Sequence, residues 1–170
     1  HKYLLQTAKK ITNEPVIAIM SGSFTQRGEI AITDKFTRAK TALQNGADLV
    51  VELPTVYAIS NAQRFAWAGT AIAKAFSSVN ALAFGCENDN IENLIKAADA
   101  INNDKVKSLL KEYMKSGDYY PRALEKAVRK TMGDSIADIL NTPNNILAVE
   151  YLRGVNKSKI KPPTEISVGG

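Results

Sequence analysis

The chain has 170 residues, 45% of them hydrophobic, a formal net charge of +5, and one cysteine (Cys86) and one histidine (His1). That length supports a proper buried core, while a lone cysteine excludes an intrachain disulfide and suits a reducing compartment; one Cys and one His also exclude a zinc site built from those ligands. No apolar run reaches the ~20 residues that span a bilayer and no signal-peptide pattern is present, so the expectation is a cytoplasmic protein with no membrane partner. The charge is uneven. Residues 1–100 hold 10 Lys/Arg against 9 Asp/Glu (net +1), and residues 101–170 hold 12 against 8 (net +4). The second half is therefore the candidate for meeting an anionic partner.

After His1, the run KYLLQTAKKI spaces Tyr3 or Leu4, Leu5, Ala8 and Ile11 or Thr12 along one face, which predicts an amphipathic helix stopped by Asn13-Glu14-Pro15. Residues 16–20 are five apolar side chains between Pro15 and Ser21-Gly22, the pattern of a fully buried strand in a parallel sheet. A polar loop follows, from Ser21 to Glu29. Thr33-Asp34 then offers an N-cap for a helix to about Gln44 carrying Lys35, Arg38 and Lys40, and Asn45-Gly46 suits a left-handed C-terminal cap. Residues 48–53 (DLVVEL) read as a second strand closed by Pro54. Residues 61–76 read as a helix with an apolar stripe of Phe65, Ala68, Ile72 and Phe76, and residues 81–84 as a third strand ending in Gly85-Cys86-Glu87. Alternating helices and strands with short connections imply right-handed crossovers and a parallel sheet. The expected fold is α/β, a Rossmann-like doubly wound sheet whose first strand would precede His1. In such sheets ligands sit beyond the carboxyl ends of the strands, which directs attention to the loop after Met20.

From Asn90 the pattern becomes helical, with segments 91–101, 105–115 and 121–130 separated by Gly117-Asp118 and Gly133-Asp134. These helices carry most of the basic excess, with Tyr113, Tyr119 and Tyr120 among the bases. Cations interleaved with aromatics suit an RNA backbone and its unpaired bases; a solvated amphipathic bundle is the plainer reading. Thr142-Pro143 opens another helix to about Leu152, with Asn144 and Asn145 in its first turn. The tail from Lys157 holds Ile160-Lys161-Pro162-Pro163 and an extended EISV run. The expected division is a core over 1–89, a basic helical insertion over 90–140, and a return to the core over 141–170. There is no Walker A motif and no GxGxxG after a strand. Glu29, Asp34, Asp48, Glu52 and Glu87 fall near strand ends without a spacing that fixes their geometry. Residue chemistry alone gives a nucleotide-type fold with a basic annex and names no reaction.

Four runs carry a resemblance: MSGSFTQRGEIAITDKFTRAKTALQNGADLVVELP, NAQRFAWAGTAIAKAF, ALAFGCEND and TPNNILAVEYLR. Together they resemble the bacterial tRNA-Met cytidine acetate ligases, nucleotidylyltransferases marked by an HxGH loop after the first strand, and the likeness extends to about Pro162. The resemblance implies a two-step ligase in which ATP, with Mg2+ not held by the protein alone, and acetate give acetyl-adenylate. The wobble cytidine of elongator tRNA-Met then receives the acetyl group. His1 would be the second histidine of the signature, a leftover tag residue being the competing reading. As such His1 is a catalytic residue at the ATP phosphates, beside a helix N-terminus that attracts them. Lys2, Tyr3 and Leu4 would form the turn behind it, while Gly85 and one of Asn144 and Asn145 would meet adenosine. Ser21, Gly22, Gln26, Arg27 and Gly28 would shape the acetate and cytidine side, with Arg27 the second catalytic residue. Lys35, Arg38, Lys111, Lys115, Arg122, Lys126, Arg129 and Lys130 would face tRNA. The earlier HxGH residues are absent and the IKP segment departs from the family pattern after Pro162, so these residues alone are expected to show little or no ligase activity. Two other readings stand: a non-catalytic tRNA- or nucleotide-binding module on the same fold, and an adenylyltransferase acting on a small phosphate ester.

Overall fold

A computed structural model describes residues 2–88 and 90–155. His1 and the expectations for the tail after Val155 lie outside the described residues. Helix α1 (Lys2–Thr12) leads into β1 (Ile17–Ser21), then α2 (Lys35–Gln44) and β2 (Leu49–Leu53). The two strands pair in parallel, Ile17 opposite Leu49 and Ser21 opposite Leu53, with α2 as the crossover. Asp34 caps α2, its carboxylate accepting from the Phe36 and Thr37 N–H groups, and Gly46 closes the helix at φ +116°. Asp48 fastens the start of the sheet to α1. Its carboxylate accepts from Lys9 Nζ at 2.9 Å and from the Val16 N–H at 2.8 Å.

Two expectations about the sheet are corrected. Strand β1 is half-buried along its whole length, not fully buried, because it lines an open cleft. Residues 81–84 are not a strand: among the described residues the sheet has only β1 and β2. An extended run becomes a strand by continuous pairing, and here only Ala81 and Gly85 are bridged, with the residues between them unpaired.

Beyond β2 come the short α3 (Thr55–Ala58), absent from the sequence reading, and α4 (Ala62–Ala75), whose Asn61 cap accepts from the Arg64 N–H. The buried face of α4 is Ala66, Gly69, Thr70 and Ala73, not the stripe of larger side chains. The reason is the close approach of α9 (Pro143–Val155). A Cβ on Gly154 would lie 2.7 Å from Thr70 Oγ1 and 3.0 Å from its Cγ2, so small residues must face each other there. Phe65 and Phe76 turn instead toward the cleft. The same helix pair holds a buried ion pair. Glu150 receives Arg153 Nη1 at 2.6 and 2.8 Å, and the Arg153 guanidinium lies 5.8 Å from the centre of the Trp67 ring. Burial pushes the Glu150 carboxyl up, and Arg153 with Trp67 pulls it part of the way back.

The principal core belongs to α5 (Ile91–Asn102), α6 (Asp104–Lys115), α7 (Tyr120–Met132), α8 (Asp134–Ala137), a 3-10 turn (Asp138–Asn141) and α9. One apolar cluster runs from Phe84 and Cys86 through Leu94, Val106 and Val128 to Leu152, across both expected division points at 90 and 140.

Two measurements check this packing. Gly154→Val should lower stability by about 1–3 kcal/mol in urea denaturation, the usual cost of overpacking, and Thr70→Ala in that background should recover part of it. The Lys9 hydrogen bond, with the Val16 N–H, holds the Asp48 carboxyl below its ordinary value. A lowered folded-state pKa means stability that is present above the ordinary carboxylate value and lost as pH falls through the lowered one. Thermal melts in acid should therefore fall less steeply in Asp48→Asn than in the wild-type protein.

Candidate active site

The turn leaving β1 is built by charge. Arg38, one turn into α2, donates through Nη1 to the Ser21 carbonyl at 2.9 Å and to the Gly22 carbonyl, and through Nη2 to Ser21 Oγ at 3.3 Å. Gly22 is buried against Glu52, whose Oε1 would lie 2.1 Å from a Cβ at that position. Glu52 in turn receives Lys35 Nζ at 2.8 Å. Lys35 and Arg38 are thus engaged with the strand ends they stand beside. The remaining loop folds as a small hairpin: Phe24 bridges Ile30, and the Gly28 N–H donates to the Thr25 carbonyl. Arg27 sits exposed at its tip, with no ion-pair partner among the described residues. Gln26 is half-buried and Gly28 exposed.

A cleft of about 1370 Å³ opens beside β1. Its walls include Lys2, Leu4 and Leu5 from α1, Ser21 and Arg38 at the β1 turn, and Ala81–Ala83, with Tyr151 from α9. The first turn of α1 and the carboxyl end of β1 therefore share one cavity. Tyr3 points away, 63% exposed, and the hairpin residues Gln26, Arg27 and Gly28 do not line it.

Residues 85–88 are tied to the first turn of α9 by a reciprocal set of bonds. Asn145 Oδ1 accepts from the Glu87 and Asn88 N–H groups, both at 2.9 Å. Glu87 Oε2 accepts from the Asn145 N–H at 2.9 Å and from the Thr142 hydroxyl at 3.1 Å. Thr142, expected as the cap, donates its hydroxyl to Glu87, and that carboxylate accepts the Asn145 N–H in the helix's first turn. Asn145 is 5% exposed, its carboxamide oxygen used by the backbone. Asn144 and Gly85 are exposed beside this tie. Nothing in sequence spacing links Glu87 to Asn145, and Glu87 was visible only as an acid near a strand end.

The basic helices divide in two. Arg122 and Lys126 both pair with Asp118, and Lys126 also lies over the Tyr113 ring. Arg129 is held by Glu125, Asp134 and Asp138, which raise its guanidinium above its already high ordinary pKa. Lys111, Lys115 and Lys130 are exposed and have no ion-pair partner among the described residues. The described residues contain no group of three or more His, Cys, Asp or Glu side chains suited to a metal ion, and none of their helices is long and apolar enough to cross a membrane.

The sequence profile of the HIGH nucleotidyl transferases matches residues 1–166. The chain belongs to the HIGH nucleotidyl transferase family. Within it, this chain is 43% identical over 170 residues to a tRNA(Met) cytidine acetate ligase of Thermoanaerobacter sp. strain X514, covering 96% of this chain and 42% of that relative. A tRNA(Met) cytidine acetate ligase of Clostridium perfringens strain ATCC 13124 is 42% identical over 177 residues, covering 96% and 44%. The structure of Thermotoga maritima TmcAL bound with alpha-thio ATP superposes with a TM-score of 0.92 at 35% identity, over 99% of this chain and 43% of that one. The chain thus spans about two fifths of the length of these relatives. A HIGH nucleotidyl transferase core accords with the Rossmann-like reading and with the parallel β1–α2–β2 unit.

The β1 turn depends on the fork of Arg38, which one ammonium cannot reproduce at three acceptors. Arg38→Lys should leave α2 intact yet speed amide exchange in the turn at residues 21–23 by about tenfold or more, the scale of a lost charge-assisted bond. Unchanged exchange would show that the turn holds itself.

Proposed function

We propose that the protein is a tRNA-Met cytidine acetate ligase that activates acetate with ATP. An acetate oxygen attacks the α-phosphorus, the bond to pyrophosphate breaks, and acetyl-adenylate forms. The exocyclic amine of the wobble cytidine of elongator tRNA-Met then attacks the acetyl carbon; AMP leaves, and the nitrogen loses a proton to give N4-acetylcytidine. The observation that carries the reading is the shared cavity of the α1 first turn and the β1 carboxyl end, in a family whose relatives bear this ligase name. Little covalent chemistry falls to the protein, so alignment and charge stabilisation supply the rate.

In this reading His1 stabilises the phosphates as pyrophosphate departs, with Lys2, Tyr3 and Leu4 forming the turn that follows it. Ser21 and Gly22 border the acyl group from a turn fixed by Arg38. Arg27, exposed on the hairpin with Gln26 and Gly28, meets an anionic group from outside the cleft. Asn144 offers its carboxamide to adenosine beside Gly85, because the Asn145 oxygen already serves two backbone N–H groups. Mg2+ would arrive with the phosphates of ATP. Lys111, Lys115 and Lys130 supply the cations free to meet the RNA backbone. Arg122, Lys126 and Arg129 shape that surface from within their ion pairs, and Lys35 and Arg38 act from the strand ends.

Acetate-dependent exchange of labelled pyrophosphate into ATP tests the reading in the full-length protein. Exchange that requires acetate but not tRNA is expected, with acetyl transfer to the cytidine once tRNA-Met is added. No exchange at all would favour a binding module, and exchange dependent on a phosphate ester would favour another adenylyltransferase.

A further inference from the structure

Between the short helix α3 and α4 lies a hollow of about 430 Å³ that shares no lining residue with the cleft beside β1. Pro54, Ala68 and Ala71 give it apolar walls, and Tyr57 and Trp67 line it while 44% and 37% exposed. Arg64, in the first turn of α4, also lines it; this side chain is exposed and has no ion-pair partner among the described residues. Trp67 is held at two points. Its indole hydrogen-bonds Glu150, and the Arg153 guanidinium, itself paired with Glu150, lies 5.8 Å from the ring centre. A buried ion pair adds little net stability, because desolvation offsets its attraction. Here it fixes an indole that is more than a third exposed. A ring fixed before binding loses little side-chain freedom when a ligand stacks on it.

Two exposed rings beside an unengaged guanidinium match an unpaired base and its phosphate. The position agrees. Ser21 stands opposite Leu53 in the parallel pair, and such strands lie ~4.8 Å apart, so Pro54 starts one strand over from the turn at Gly22. Resting on the tRNA reading proposed above, we infer that this hollow is an RNA subsite. It takes an unpaired base next to the cytidine that is modified, stacked against Trp67 and Tyr57, with Arg64 on its phosphate. Apart from Tyr57 and Arg64, the lining side chains offer a base edge no free hydrogen-bonding group, so the subsite registers the presence of a base more than its identity.

The test is binding of the tRNA-Met anticodon stem-loop to the full-length protein, followed by fluorescence anisotropy, with the RNA intact or with either neighbour of the modified cytidine made abasic. One of the two abasic RNAs should bind about tenfold more weakly, the scale of one lost stack, while exchanging that base for another should change affinity less than about threefold. Trp67→Ala should lose about as much on intact RNA and nothing further on that abasic RNA, whereas Trp67→Phe should stay within about threefold of wild type. Arg64→Gln should lower the slope of log affinity against log salt by about 0.7, one phosphate contact on a single strand. The abasic comparison uses wild-type protein, so it stands even where Trp67→Ala, which strips a partner from Glu150, fails to fold. Equal binding of the intact and both abasic RNAs, the result expected if another part of the full-length chain covers the hollow, would overturn the inference. So would losses from Trp67→Ala and from the abasic position that multiply independently. Wild-type protein that bound no tRNA-Met RNA would overturn the reading beneath it.

Discussion

The structure depends on the reciprocal bonding of Glu87 and Asn145. On one side of it stands the helical core of α5 to α9, where the large buried side chains are; on the other stands the end of the segment that forms one wall of the cleft. Four hydrogen bonds join them, each made between a side chain and a backbone group or hydroxyl. Side chain to backbone bonding of this kind fixes position more narrowly than apolar packing, because the acceptors have direction. Phe84 stacks on Tyr151 at 5.4 Å just before the tie, so the apolar and polar contacts hold the same two elements together.

A second set of fixed points lies at the carboxyl ends of the strands. Arg38 and the Lys35–Glu52 pair turn the chain sharply after β1, and the space above Gly22 is filled by a carboxylate. The exposed ion pair contributes little to stability by itself. Its consequence is geometric: Lys35 and Arg38, the cations beside the strand ends, are engaged by protein groups. On α6 and α7, the same distinction separates Arg129, enclosed by three carboxylates, from Lys111, Lys115 and Lys130.

Much of this was legible in the sequence wherever the cause was local. Thr33-Asp34 before an amphipathic run, Gly46 after it, and Pro143 at a first helical turn each act within a few residues, and the helices appear where those signals stand. The face of α4 was not legible, because the apolar stripe ranks side chains by size while the packing against α9 selected small ones. Gly154 against Thr70 is the reason, and it is a contact across 84 positions. The third strand failed for a related cause: pairing is a property of two segments, and an apolar run reports only one. At the site, the polar turn after β1 and the paired asparagines stood out as motifs. What each asparagine does depended on Glu87, whose partner no spacing rule could name. The resemblance to cytidine acetate ligases pointed to a chemistry, and the geometry showed which side chains other protein groups already engage.

The central claim is that one nucleotide spans from the head of α1 to the tie at α9. Amide NMR shifts during ATP titration of the full-length protein test it most directly. The account predicts that the amides of residues 2–5 and those of Glu87, Asn88 and Asn145 move together, with a single shared Kd. Shifts confined to one of these two groups, or found only on α6 and α7, would contradict it.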